Sequence, residues 1–212
     1  MSVPTKAVLV YRSPIEGQVK RRLAASIGDA AALKLYRWMG QRQLEAIPSS
    51  WLVEVRFTPD SAGNRMENWL GGGPRYIPQG AGDLGERLWR ATKWSFDRED
   101  SQKILFLGAD CPGLDEKILA KAGHALDKKD FVVGPAVDGG YYLLGMRRRE
   151  SIVFANINWG SSTVLDETIC RIQSIGASFE RLETLSDIDD WDSLEREKNR
   201  IDPAMRKILG FD

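Results

Sequence analysis

Ile104-Leu-Phe-Leu-Gly108-Ala-Asp110-Cys-Pro112 and Gly134-Pro-Ala-Val-Asp138-Gly-Gly-Tyr-Tyr-Leu-Leu-Gly145, with Asp138 placed 28 residues after Asp110, decide how this chain folds. Each is an apolar run that ends at, or resumes from, a carboxylate flanked by Gly and Pro, where a strand stops and the backbone turns sharply. Between them Leu114, Ile118, Leu119, Ala122 and Leu126 form a helical stripe, and Phe131-Val-Val133 reads as the next strand. Strand, helix and strand within about thirty residues make a βαβ crossover, which predicts parallel neighbours and a right-handed connection. The connection from Val133 to Tyr141 is too short for another crossover helix, so the strand Tyr141–Met146 makes the sheet mixed.

Working outward, Ala7–Tyr11 reads as a buried strand, and Pro14 and Gly17 punctuate the loop that follows. From Asp29 the positions Leu33, Tyr36, Gly40, Leu44 and Ile47 recur at helical steps until Pro48 stops them. Trp51–Phe57 alternates as a half-exposed strand. Gly71–Gly82 reads as a glycine-rich loop broken by Tyr76-Ile77, leading to a helix from about Asp83 with Leu84, Leu88 and Ala91 on one face. Later come a helix after Ser161 carrying Leu165, Ile169 and Ile172, an alternating strand Phe179–Leu185, and a polar helix after Asp189. These elements predict a three-layer α/β/α fold with an open, mixed, mostly parallel sheet, as one domain over residues 1–212.

Composition sets the frame. A chain of 212 residues with 42% hydrophobic and 28% charged residues suits one soluble domain with a sizeable core. Thirty Lys+Arg balance thirty Asp+Glu, which gives no argument for nucleic acid or a membrane surface. Cys111 and Cys170 are too few for a disulfide scaffold and lack a C-x-x-C spacing, so a reducing cytoplasm fits. The run Ala7–Val10 is far shorter than a signal-peptide core or a membrane span. The sequence allows a homodimer and fixes no oligomeric state.

Asp110 directly follows a buried strand, and open α/β sheets bind ligands outside the carboxyl ends of their strands. A carboxylate there suits Mg2+ or Mn2+ bridged to substrate phosphates, or it caps the next helix, a task for which Asp115 is better placed. The Asp138-Gly139-Gly140 turn is a hairpin signal, and it also removes side chains where a sugar or nucleotide approaches the backbone. Asp187, Asp189, Asp190 and Asp192 crowd four carboxylates whose repulsion a cation would relieve; the alternative is a solvated acidic helix start. Asp189 is the candidate second metal ligand. Lys20-Arg21-Arg22 beside Gly17 could bind a diphosphate or triphosphate, or be a solvated basic run; it lacks the P-loop spacing. Arg147-Arg-Arg149 reads as an exposed loop. His124 is the only histidine, which disfavours triad or histidine acid/base chemistry and leaves metal and positioning.

Six motifs in order resemble a bacterial family of glycosyltransferase-like proteins (DUF2064-like) related to nucleotide-diphospho-sugar transferases, over nearly the whole chain. They are Pro14-Ile-Glu-Gly17-Gln-Val-Lys20-Arg21-Arg22-Leu23, Gly82-Asp83-Leu84-Gly85-Glu86-Arg87, Gly108–Pro112, Gly134–Tyr141, Trp159-Gly160 and Asp187–Asp189. Arg21 stands where the family pattern has Thr, which adds a charge and removes a hydroxyl. The resemblance implies a GT-A fold in which Asp110 and Asp189 hold Mg2+ or Mn2+, and Asp110 and Asp138 serve catalysis. It places Pro14, Gly17, Lys20, Arg22, Gly82, Asp83 and Arg87 at the nucleotide phosphates, and Gly139, Gly140, Tyr141 and Trp159 toward a small-molecule acceptor.

Three functions compete: a metal-dependent transferase using a nucleotide-sugar donor, a nucleotidyltransferase releasing pyrophosphate from a nucleoside triphosphate, and a non-catalytic nucleotide-binding or interaction domain. The last is where the seven tryptophans would matter, although tryptophans are more often core.

Overall fold

Ala7, Leu9 and Tyr11 face one buried cluster while Val8 faces another, so the strand Thr5–Arg12 (β1) is covered on both sides, as a central parallel strand must be. The computed structural model describes residues 4–98 and 102–211. The other strands are β2 (Leu52–Thr58), β3 (Arg75–Pro78), β4 (Lys103–Leu107), β5 (Phe131–Pro135), β6 (Tyr141–Met146) and β7 (Phe179–Arg181). Their order is β3-β2-β1-β4-β6-β5-β7, and β6 alone runs antiparallel to its neighbours.

The helices are α1 (Arg21–Ile27), α2 (Asp29–Glu45), α3 (Gly63–Leu70), α4 (Leu84–Asp97), α5 (Glu116–Ala125), α6 (Val164–Ser174), α7 (Trp191–Glu197) and α8 (Pro203–Ile208). One face of the sheet packs on Tyr36, Met66, Trp69, Ile118 and Leu119 from α2, α3 and α5. The other packs on Leu88 and Ala91 of α4 and on Leu165 and Ile172 of α6. This is the expected three-layer α/β/α arrangement with an open, mixed, mostly parallel sheet.

Several local expectations are corrected. β4 and β5 run in the same direction but are not neighbours, because β5 returns through the Asp138 turn and β6 pairs between them. The glycine-rich stretch hides β3, a four-residue edge strand hydrogen-bonded to β2 on one side only, too short to show a period. The polar face of β2 is buried rather than half-exposed. Arg56 Nε donates to Glu54 Oε1 at 2.5 Å, and its guanidinium lies 5.5 Å from the Trp94 ring centre. Leu84 opens α4 exposed, and that helix buries Gly85, Leu88, Ala91, Thr92 and Ser95. The strand expected over 179–185 is three residues long, followed by an isolated bridge from Leu185 to Ala136. The closing helix is two helices, and they bury Leu194, Met205 and Leu209 against Leu23, Leu35 and Met39 in a third cluster.

The topology creates a crevice. From β1 the chain crosses toward β2, whereas from β4 it moves to the opposite side, so the loops after these adjacent parallel strands diverge at their carboxyl ends. Gln79 braces this edge, its Nε2 donating to the Tyr11 and Arg56 carbonyls at 3.0 Å each.

Gly40 lets α2 approach Trp69 closely: a Cβ there would lie 2.5 Å from Trp69 Cζ2. Gly40→Ala should therefore destabilise the fold by about 1–3 kcal/mol, outweighing the ~1 kcal/mol that alanine gains in helix propensity. Urea unfolding measures this; an unchanged or higher midpoint would contradict the packing argument.

Candidate functional site

The loop after β1 is built by short-range backbone bonds. Ser13 N donates to Thr58 O at 2.7 Å and Gln18 N to Ile15 O at 3.0 Å, while Gly17 takes φ +72° and Val19 is buried in the core. Pro14 is buried too. Lys20 then adopts a left-handed conformation, φ 49° and ψ 43°, at the start of α1. This turns its side chain inward, where it is 5% exposed.

The Lys20 ammonium lies 2.6 Å from Asp110 Oδ1 and 2.7 Å from Asp189 Oδ1. Asp110 follows β4 through Gly108, whose N–H donates to Tyr142 O at 3.2 Å, and is flanked by buried Ala109 and Cys111. It is not the cap of α5, because Asp115 Oδ1 accepts from Ile118 N at 2.9 Å. Asp189 arrives from the other end of the chain. Ile188 is fully buried in the third cluster, and its N–H donates to Asp110 O at 2.9 Å, which sets the two carboxylates side by side. Arg22 Nη2 pairs with Asp190 Oδ2 at 2.7 Å, and Asp190 also caps α7 by accepting from Ser193 N.

These groups line a cleft of about 430 Å3 bounded by Val10, Arg12, Gln18, Lys20, Arg21, Arg22, Tyr36 and Gly108–Asp110, with Asp189. Burial works against the charge on Lys20, yet Asp110 and Asp189 more than offset it and hold the ammonium protonated. Burial likewise opposes ionisation of Asp189, but Lys20 and Arg22 pull its pKa below the usual carboxylate value. For Asp187 the balance falls the other way: burial first, then Asp138 and Asp189, outweigh the pull of Lys20 and push it up to about 6. Burial and Asp110 raise the Cys111 thiol well above its ordinary value, which works against forming a thiolate there.

The structure thus brings together Lys20, Arg22, Asp110 and Asp189, with Pro14 and Gly17 in the supporting loop. Asp138 lies close enough to raise Asp187, and its Oδ1 accepts from Gly140 N at 2.8 Å, so the turn is also a hairpin. Gly139, at φ +88°, sits where a Cβ would collide with the Ser162 carbonyl. Its own carbonyl accepts from Leu165 N at 2.9 Å, which docks the turn onto the loop after Trp159. Trp159 and Tyr141 pack against the second core cluster.

Gly82, Asp83 and Arg87 stand outside this cleft. Asp83 is engaged in a capping box with Glu86, and Arg87 Nη1 reaches Gln79 Oε1 at 3.4 Å. His124 is exposed at the amino-terminal edge of the sheet beside Lys103 and Asp127, and Arg147–Arg149 pair with Asp130, Glu150 and Asp97. Sequence reasoning missed Arg12 and Tyr36, and it named Asp187 only as one of four crowded carboxylates. Arg12 was findable as the last residue of a strand at the switch point. Tyr36 was not: it reads as a core residue, but its hydroxyl donates to Arg12 O at 2.8 Å.

Carboxylate oxygens are the hard donors that Mg2+ and Mn2+ prefer, and Asp110 and Asp189 already direct one oxygen each at a single cation. Among the described residues no three His, Cys, Asp or Glu side chains are grouped to cage a metal. Two carboxylates, with water and phosphate oxygens completing the shell, are a donor set that a hard dication accepts.

The family model "Uncharacterized protein conserved in bacteria (DUF2064)" matches residues 45–161, more than half of the chain. The chain belongs to the DUF2064 family. The match takes in Asp110 and the Asp138 turn but neither Lys20 nor Asp189. This DUF2064 protein is similar over 99% of its length to a "putative nucleotide-diphospho-sugar transferase" from Desulfovibrio desulfuricans G20, at 26% identity, TM-score 0.88 and 93% coverage of that chain. The fold is shared with 4-diphosphocytidyl-2C-methyl-D-erythritol synthase from Anaerococcus prevotii DSM 20548, at 10% identity, TM-score 0.61, and coverage of 93% and 95% of the two chains. It is shared also with a manganese complex of Rv0371c from Mycobacterium tuberculosis H37Rv, at 13% identity, TM-score 0.55, and coverage of 94% and 100%. No curated protein matches the sequence. No helix among the described residues is long and apolar enough to cross a membrane.

Because the Asp187 pKa is raised, its contribution to stability is full below the ordinary carboxylate value near 4 and is lost as pH rises through about 6. Asp187→Asn should raise stability at pH 7.5 by about 1 kcal/mol, discounted for partial solvent exposure, and leave it unchanged at pH 3.5. Thermal melts in EDTA at the two pH values check this, and an equal effect at both would contradict it.

Proposed function

We propose that residues 1–212 act as one metal-dependent transferase domain that binds a nucleotide-sugar donor by its phosphates and passes the sugar to a small-molecule acceptor. One observation supports this reading: a carboxylate from the middle of the chain and one from its last quarter converge on a single cation position in a cleft that Arg12, Arg21 and Arg22 also line. Asp110 and Asp189 would hold Mg2+ or Mn2+, leaving the remaining ligand positions to water and phosphate oxygens. Bound there, the dication would neutralise charge building on the leaving phosphate.

The chain's own residues do the rest. Lys20 and Arg22 contact the phosphates as charge-assisted donors, and the loop from Pro14 through Gly17 holds them in place. Asp138, fixed by its bond to Gly140 N, and the glycine backbone beside it present acceptor atoms to sugar hydroxyls. Trp159 and Tyr141 border that side. Arg87 supports the far wall through Gln79, and Asp83, after Gly82, caps the helix that carries Arg87. Acceleration comes from positioning and charge, since no histidine lines the cleft.

The name and close fold similarity of the Desulfovibrio relative support a sugar-nucleotide donor. Nucleotidyl transfer is the second reading. It is favoured by Arg21, which lines the cleft and adds a cation suited to a triphosphate, and by the name of the Anaerococcus synthase, which describes a diphosphocytidyl compound.

Calorimetric titration with UDP-, GDP- and CDP-sugars and the four nucleoside triphosphates, with and without Mn2+, should show metal-dependent binding to one of them. Asp110→Asn should weaken the metal-dependent part by more than about tenfold, since even outer-shell changes at metal sites cost 10- to 100-fold. No metal-dependent binding to any nucleotide would overturn the reading. Arg21→Thr should weaken triphosphate binding about two- to fivefold more than diphosphate binding, the worth of one exposed charge contact. An equal effect on both would remove the argument for nucleotidyl transfer.

A further inference from the structure

The Lys20 ammonium occupies the point toward which the proposed metal ligands are aimed, accepted by one oxygen of Asp110 and one of Asp189 at 2.6 and 2.7 Å. It is a built position. The residue is locked in a left-handed backbone conformation, its side chain is 5% exposed, and its carbonyl accepts from Ala24 N at 2.8 Å to start α1. The two carboxylates and the ammonium carry one net negative charge. A dication entering beside the ammonium would set three positive charges against two negative ones at contact distance, and cations so placed repel. The ammonium must leave the carboxylates before both can bind a metal, and in a buried site it leaves only toward another anion. Arg12, Arg21 and Arg22 line the same cleft and draw such an anion in.

We infer that Lys20 is an internal counter-cation that makes metal binding depend on phosphate. Without a polyphosphate it bridges Asp110 and Asp189 and excludes Mg2+ or Mn2+; a nucleotide's phosphates draw it away and free the carboxylates. Metal and nucleotide then strengthen each other's binding by the same factor, as linkage requires. Lys20 is thereby a coupling residue as well as a phosphate contact. The inference rests on the metal-dependent reading above.

The test is binding of Mn2+ alone, without nucleotide, to the full chain, followed by electron paramagnetic resonance of free Mn2+. Wild type should bind weakly. Lys20→Met and Lys20→Gln should bind at least about tenfold more tightly, within the range of known coupling factors. Lys20→Arg, which keeps the charge, should stay within about twofold of wild type, and adding Asp110→Asn to Lys20→Met should remove the gain. Circular dichroism and thermal melts verify folding, with Lys20→Gln standing in if Lys20→Met does not fold. No gain in the neutral variants, or an equal gain in Lys20→Arg, overturns the inference. Unfolding of both neutral variants also overturns it, because a fold that cannot lose the bridge cannot yield it to phosphate. Absence of Mn2+ binding by wild type even with nucleotide refutes the metal-dependent reading itself. Nucleotide-dependent Mn2+ binding without a gain in the neutral variants refutes only the coupling.

Discussion

One ammonium group joins the two ends of the chain across the mouth of the sheet. Lys20 comes from the first loop, Asp110 from the end of a central strand and Asp189 from the last quarter of the sequence, and all three meet within 2.7 Å. Burying a charge is costly unless it is paired, and a buried pair that loses one member is left worse than neutral. The ammonium, at 5% exposure, is the group that needs its partners; the two carboxylates keep 45% and 38% of their side-chain surface and can hold their charge against solvent. The backbone bond from Ile188 to Asp110 makes the meeting obligatory, because it fixes Asp189 one residue from a fully buried anchor.

That joint depends on the reversal of chain direction beside β1. Parallel strands that send their connections to opposite sides leave a crevice at their carboxyl ends, and β1 and β4 do so here. The crevice alone would be open to solvent. The third cluster closes one side of it by packing α7 and α8 on α1 and α2, which carries the acids of residues 187–190 over the first loop. Apolar contacts at Leu23, Leu35, Leu194 and Met205 thus set the electrostatics of a site none of them touches.

The strands and helices around Asp110 were legible because their apolar periods are long and their ends carry Gly, Pro or Asp. What the sequence hid has physical causes. β3 bonds along one edge only, so its four residues need no pattern. β6 displaced β5 from β4 because register between non-adjacent segments depends on hairpin closure, which local periodicity does not encode. Glu54 and Arg56 looked exposed because each supplies the other's counter-charge, leaving both free to be buried under Trp94. At the site, Asp110 could be placed from its strand end alone. Its partner Asp189 required the acid run to be set against a missing ligand. The role of Tyr36 in holding the Arg12 backbone left no signal, since a core tyrosine and a bracing tyrosine have the same spacing.

The residues in and beside the cleft come from two kinds of segment. Asp110 and the Asp138 turn lie inside the segment that marks the DUF2064 family, whereas Lys20, Arg21, Arg22 and Asp189 lie in the flanking segments. The matched segment thus takes in the proposed sugar-facing turn and one proposed metal ligand, while the first-loop and late-acid motifs that also resemble the family flank it on either side. The cations proposed to meet the phosphates belong to the first loop and α1, where a substitution alters charge without disturbing a strand. Arg21 illustrates the point: it opens α1 exposed, touches no core cluster and still lines the cleft. If the cleft holds phosphates as proposed, an added positive charge there would change which phosphate chain is held most tightly while leaving the carboxylate pair in place.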